Sequence, residues 1–179
     1  MHTAIDPLMA LPTRRSLRHD LIVGAITGQV AGLVMAIALM VMFTLFLGKG
    51  PAYPVQVIGS FAFGDAALVG FHLPAFLTGL LLHQAGASLV WGLIFALVVN
   101  RFHPLRRGGY FAIAIGVGLL SEVLDVYVLV PAYMNARFGH NIWAENVPQF
   151  WDWTAHLIFG LSFVAFPWIY RRVFRNAPV

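Results

Sequence analysis

Five ionisable side chains interrupt stretches of sequence that are otherwise apolar: His83, Glu122, Asp125, Asp152 and His156. A charged side chain inside hydrocarbon costs on the order of 3 kcal/mol or more unless it meets a partner or water. Glu122 and Asp125 are three residues apart, and Asp152 and His156 four apart, so each pair shares a helix face. Four chemistries fit such a set. Imidazoles and carboxylates together are the ligands of zinc or non-haem iron, which makes His83, His156, Glu122 and Asp125 candidates for a divalent metal. No HExxH or ExxH pattern accompanies them. Paired carboxylates in a low dielectric can instead relay a proton or ion, or hold a polar head group such as a quinone ring. The plainest alternative is interhelical glue, with Asp152 merely matching the dipole at the start of its helix. A two-histidine b-type haem on His83 and His156 is the weakest fit, because acids beside the iron would be odd neighbours.

Such side chains need long apolar helices to place them. The chain is 60% hydrophobic and 10% charged, against about 25% charged in a soluble domain. Its mean hydropathy is +0.81, so lipid is its natural solvent. Four apolar runs, approximately residues 21–47, 76–99, 110–130 and 150–170, each meet the requirement of about 20 residues for a membrane span. The first is longer than the ~7–15-residue core of a signal peptide, and no small-residue cleavage site follows it, so it is expected to remain as a helix. The prediction is an all-α membrane protein, a four-transmembrane-helix bundle forming one domain over residues 1–179. A short interfacial or re-entrant segment is expected between helices 1 and 2. There Pro51, Pro54, Gly59, Gly64, Gly70 and Pro74 break a stretch that is apolar over 55–63, and irregular backbone cannot face lipid. Between helices 3 and 4, Asn146 is expected to cap helix 4, with Pro148 in its first turn.

Depth along the runs draws the polar residues together. Asp125 and Glu122 lie five and eight residues inside position 130, His83 seven inside 76, and His156 six inside 150. At 1.5 Å per residue all four fall about 7–12 Å from one boundary, so they are expected to face one another.

Basic residues orient the bundle. Arg14, Arg15, Arg18, Arg101, Arg106, Arg107, Arg171, Arg172 and Arg175 fall on one side, and Lys49 and Arg137 on the other. Nine against two makes the first side cytoplasmic and puts both termini there. Trp143, Trp151 and Trp153 at one end of helix 4, and Trp168 and Tyr170 at the other, read as aromatic belts. Because the cations sit at the ends of apolar runs rather than in a stripe, the lipid bilayer is their expected partner, and nucleic acid is not. The absence of cysteine excludes disulfides and thiolate metal sites.

Helix 1 carries Gly24, Gly28 and Gly32, then Ala36, one small residue per turn on a single face. This double GxxxG ladder is a helix-packing face, open in principle to a helix of the same chain, a second copy or a larger membrane complex. Met35, Met40 and Met42 read as gap-fillers rather than copper ligands, since Met40 and Met42 cannot share a face. His83 and Arg101 in helix 2 match His156 and Arg171 in helix 4, a faint sign of two parallel hairpins. His72, Asp65 and His140 lie between the helices and could extend a site towards water. His2, His19 and His103 lie near basic clusters and carry no assignment.

The second half of the chain resembles the YagU-like group of small bacterial inner-membrane proteins. The matching features are His83 opening an apolar helix, Trp143-Ala144-Glu145-Asn146-Val147, and His156 followed by an apolar helix ending in Arg171 and Arg172. The stretch from Pro148 to Ala155 is longer than in that group. The resemblance implies a bacterial inner (plasma) membrane location and no particular reaction. No nucleotide loop, nucleophile motif or cofactor fingerprint is present, so an enzymatic role is disfavoured. The sequence therefore points to a membrane protein that binds a metal, proton or polar ligand through its His/carboxylate cluster. The alternative is an accessory subunit that packs through the helix 1 ladder.

Overall fold

The computed structural model describes residues 16–102 and 107–174. Arg14, Arg15, Arg106, Arg175, His2, His103 and the two termini lie outside them. Among the described residues the chain is helical throughout, without strands. Helix α1 spans Leu17–Phe46 and α2 Tyr53–Phe63. Helix α3 spans Leu73–Phe102, α4 Gly108–Phe138, α5 Ile142–Asn146 and α6 Gln149–Val173. Helices α1, α3, α4 and α6, with 30, 30, 31 and 25 residues, are long and apolar enough to cross a membrane. At 1.5 Å per residue they reach roughly 37–46 Å, more than the ~30 Å of hydrocarbon.

Local chemistry explains the helix starts. The Ser16 hydroxyl accepts from the His19 N–H at 3.1 Å and starts α1. His72 starts α3 through its Nδ1, which accepts from the Ala75 N–H at 3.0 Å, with Pro74 in the first turn. Asn141, rather than Asn146, does the capping in the later loop: its Oδ1 accepts from the Ala144 N–H at 3.2 Å and starts α5. Asn146 ends that helix, donating to the Ile142 carbonyl and accepting from the Tyr53 hydroxyl at 2.5 Å. Pro148 is therefore not in the first turn of α6 but is the extended residue before it, with ψ 131°.

Helix α4 continues past the expected stop at residue 130 and closes at Gly139, φ +81°. Residues Glu122–Leu129 are π-helical, and the Val130 N–H donates five residues back, to Asp125. Pro131 has no N–H to give the Tyr127 carbonyl, and the widened turn absorbs that gap where an α-helix would break. Leu82–Ser88 in α3 are π-helical as well. In α6, Pro167 follows a short 3₁₀ turn, Phe163–Ala165, for the same reason.

The long helices form a ring in which α1 packs on α3 and α6, and α4 packs on α6 and α3. The glycine ladder of α1 meets α3 of the same chain. A Cβ on Gly28 would run into the Ser88 carbonyl oxygen and the Gly92 backbone, and one on Gly24 into Gly92 and Ala96. The ladder is thus filled from within the chain and leaves no room for a partner on that face. A second close crossing sets Gly118 of α4 on Gly160 of α6. The first and second long helices, and the third and fourth, therefore each cross at a glycine contact. Towards the α3–α4 connection the interior is dry and aromatic, with Phe95 stacked on Phe163 at 4.5 Å and edge-on to Phe166. At the other end α2 lies across α3, with Gly59 against Ala75 and Gly79 against Val55. Two expected belt residues belong to the interior instead: Trp143 and Tyr170 are buried, whereas Trp168 is exposed.

The His140 ring clasps that end. Its Nδ1 lies 2.9 Å from Glu145 and its Nε2 3.1 Å from Asp65, in the turn after α2. Hydrogen bonds to Glu145 and then to Asp65 hold the imidazole pKa above its usual 6.5. A pKa raised on folding stabilises fully below the unfolded value, and the contribution disappears as pH rises through the folded one. The melting temperature of the wild type in detergent should exceed that of His140→Gln below about pH 6.5, and the gap should shrink as pH rises above that value. A gap that stays constant with pH would mean that the imidazole carries no charge there. The pair is exposed, so added salt should shrink the gap too.

Candidate functional site

The site is assembled by α4, α5 and α6. Glu122, at the start of the π segment, is fully buried. Asp152 and His156 sit one turn apart on α6, where spacing of four puts both on one face. The Glu122 Oε2 lies 2.6 Å from His156 Nδ1, and Asp152 Oδ1 lies 3.5 Å from the same nitrogen. The Asp152 backbone carbonyl is a further acceptor at 3.1 Å. Everything around Nδ1 accepts, so this nitrogen carries the proton. Trp143, from the short helix α5, donates its indole N–H to Asp152 Oδ2 at 2.7 Å and fixes that carboxylate.

Both Glu122 oxygens and Asp152 Oδ1 are buried. The 2.6 Å Glu122–His156 contact sets Oε2 against the Nδ1 proton, so the two are the close pair of the site. With both acids ionised and the imidazole protonated, the site would still carry a net negative charge in an apolar interior. A second positive charge, either a proton or a metal ion, would neutralise it. One ligand atom each from Glu122, Asp152 and His156 lies within 4.8 Å of the others, close enough to share one ion.

This set differs from the one expected for a metal. Asp152, one of the five candidates and under the plainest alternative only a match for the helix dipole, is a buried member. His83 and Asp125 stand apart from the triad. The His83 Nε2 donates to the Gly32 carbonyl across the α1–α3 contact at 3.0 Å. Asp125 Oδ2 accepts from the Trp91 indole at 2.7 Å. The π turn explains the separation of Asp125 from Glu122. More residues per turn rotate positions three apart away from each other, whereas an α-turn holds them on one face. His83, Asp125 and His156 nevertheless border one cavity of about 360 Å³, together with Trp91 and Trp143.

Two functional candidates were not read from the sequence. By sequence Trp143 reads as a belt residue, and no local pattern ties it to a carboxylate nine residues on. Asp20, close to the start of α1, is fully buried and accepts from Asn100 of α3 at 2.8 Å. Its place in the first turn of an apolar run was the available signal. The remaining candidates have local roles: His72 caps α3, Asp65 and His140 pair with each other, and His19 stacks on Phe174 at 4.0 Å. Met35 and Met42 are buried in the core, as gap-filling residues should be.

The fold and site together define a class: a helical chain with four membrane-length helices and a buried His/carboxylate triad between two of them. No family model, no curated protein and no solved structure matches the chain.

Proposed function

We propose that this is a four-span protein of a bacterial inner membrane, with both termini cytoplasmic, that binds a cation at Glu122, Asp152 and His156. The observation that carries the reading is the pair of buried carboxylates drawn around one imidazole, one ligand atom from each lying within 4.8 Å of the others. For a divalent metal the donor set is suitable, two carboxylates and one imidazole, with Nδ1 giving up its proton to coordinate. A bound proton fits the same site, and the 2.6 Å Glu122–His156 contact favours it when no metal is present. Nothing comparable supports an accessory-subunit role, since the α1 ladder is already covered by α3. The outward residues of α1, such as Leu33 and Ile37, are proposed to meet lipid tails, and α2 to lie at the outer interface. Kinship with the YagU-like group belongs to the same proposal and rests on the residues quoted for it.

Elemental analysis of protein purified without chelator, followed by thermal-shift titration with Zn²⁺ and Mn²⁺, tests the site. A hundredfold excess over Kd should stabilise the fold by about 2.7 kcal/mol, and Glu122→Gln should abolish the effect. The proton form should appear as a carboxyl band in infrared difference spectra that Glu122→Gln removes. A protein with neither signal would end the cation reading. Topology is tested separately. Reporter fusions at Arg106 and Val179 should read as cytoplasmic, and one at Arg137 as periplasmic, given the nine-to-two split of basic residues. A cytoplasmic signal at Arg137 would remove a span between it and Arg106.

A further inference from the structure

We propose that the cavity between α3 and α4 binds the head of a lipid-soluble phenol or quinol that enters from the bilayer. The inference rests on the membrane reading and shares His156 with the cation site, but it requires no metal. At about 360 Å³ the cavity is within the range of small-molecule sites. Leu82 and Val90 of α3 and Leu129 of α4 line it and are themselves exposed. Its mouth therefore opens on the apolar flank of the bundle, where lipid tails would lie, and not at a polar end. Its walls are largely apolar, and Trp91 and Phe159 among them are suited to a flat ring.

The polar side chains facing this space are few: the Ser121 hydroxyl is spent on the Gly118 carbonyl, the Ser88 hydroxyl can donate or accept, and His83 and Asp125 offer acceptors beside His156. His83 must carry its proton on Nε2 to donate to the Gly32 carbonyl, which leaves Nδ1 of the neutral ring as an acceptor. Asp125 holds the Trp91 N–H on Oδ2, and its Oδ1 has no hydrogen-bond partner among the described residues. Both residues stand on π-helical segments, which re-aim side chains and recur at functional sites. The His83 and Asp125 acceptors ask for a donor. An aromatic hydroxyl supplies it together with a ring, whereas a quinone would set its carbonyl lone pairs against these two acceptors and find a free donor only in the Ser88 hydroxyl.

The test uses the full chain in detergent, titrated anaerobically by calorimetry with decylbenzoquinol and with the corresponding decylbenzoquinone, with and without EDTA. The quinol should bind saturably at one per chain, at least about tenfold tighter than the quinone, the ratio expected for one hydrogen bond to a charged group. Asp125→Asn should reverse the preference. Its amide oxygen must stay on the Trp91 N–H, which turns the NH₂ group into the cavity and replaces an acceptor by a donor. EDTA strips any metal and should leave quinol affinity unchanged, so loss of the cation reading and loss of this one are told apart. Saturable binding that favours the quinone, no saturable binding of either probe, or an unchanged preference in folded Asp125→Asn would each overturn the proposal. Should Asp125→Asn fail to fold, the preference of the wild type decides alone.

Discussion

Gly28→Leu should lower the melting temperature in detergent by several degrees. The atoms that a side chain at this position would strike are the Ser88 carbonyl oxygen and the Cα and N of Gly92. All are backbone atoms of α3 and cannot swing aside as the end of a flexible side chain can. Relief therefore requires α1 and α3 to separate, which also loosens Gly24 from Ala96 and Gly32 from Ser88 along the same crossing. Overpacking of this kind costs about 1–3 kcal/mol, which for a chain of this size corresponds to roughly 2–12 °C. The matched control is Gly116→Leu. Gly116 also lies in a long helix, but nothing stands within 4 Å of a Cβ there, so the variant should melt near the wild type. Equal melting of the two variants would contradict a close α1–α3 contact at Gly28.

Helix 1 shows what a sequence can and cannot reveal. Glycines at every fourth position mark a face built for close approach, because that depends only on local spacing. What covers the face depends on where another helix lies, and here Gly92 and Ser88 of α3 do so. The four long helices were legible for a similar reason, since span length and hydropathy are properties of consecutive residues. Their ends were less so. A stop was expected at Pro131, and the π turn before it lets α4 run on to Phe138. The same turn limited the reading of the site. Counting residues gives each polar group a depth and, for pairs, a shared α-helical face, but not its bonding partner. His83, Asp125 and His156 do border one cavity, while His83 and Asp125 bond to Gly32 and Trp91. For Asp152 the sequence leaves two readings open, site member or match for the helix dipole; α6 turns it inward, and Trp143 fixes it there. That indole reaches Asp152 only because α5 folds back over the bundle, a tertiary arrangement with no local signature.

Glu122→Gln and His156→Gln should each destabilise the protein strongly, and the double variant should cost less than their sum. Glu122 and His156 come from α4 and α6, and the carboxylate oxygen lies 2.6 Å from the ring nitrogen in a site where both residues are buried. Removing the carboxylate alone leaves His156 with Asp152 as its one remaining counter-charge. Removing the imidazole alone leaves Glu122 and Asp152 as two buried acids with no cation between them. Breaking one side of a buried pair costs about 3–5 kcal/mol, most of it from the charge left behind. The double variant leaves neither of the paired charges, so its second substitution should cost less by a coupling of roughly 0.5–3 kcal/mol. The comparison pair is Glu122→Gln with His140→Gln, which touches the exposed clasp and shares no partner with Glu122. That pair should add within about 0.5 kcal/mol. Chemical denaturation or thermal melts of all five variants in one detergent would measure both cycles. If Glu122→Gln and His156→Gln add as simply as the comparison pair, the two residues do not interact, and the cation site built on their contact falls.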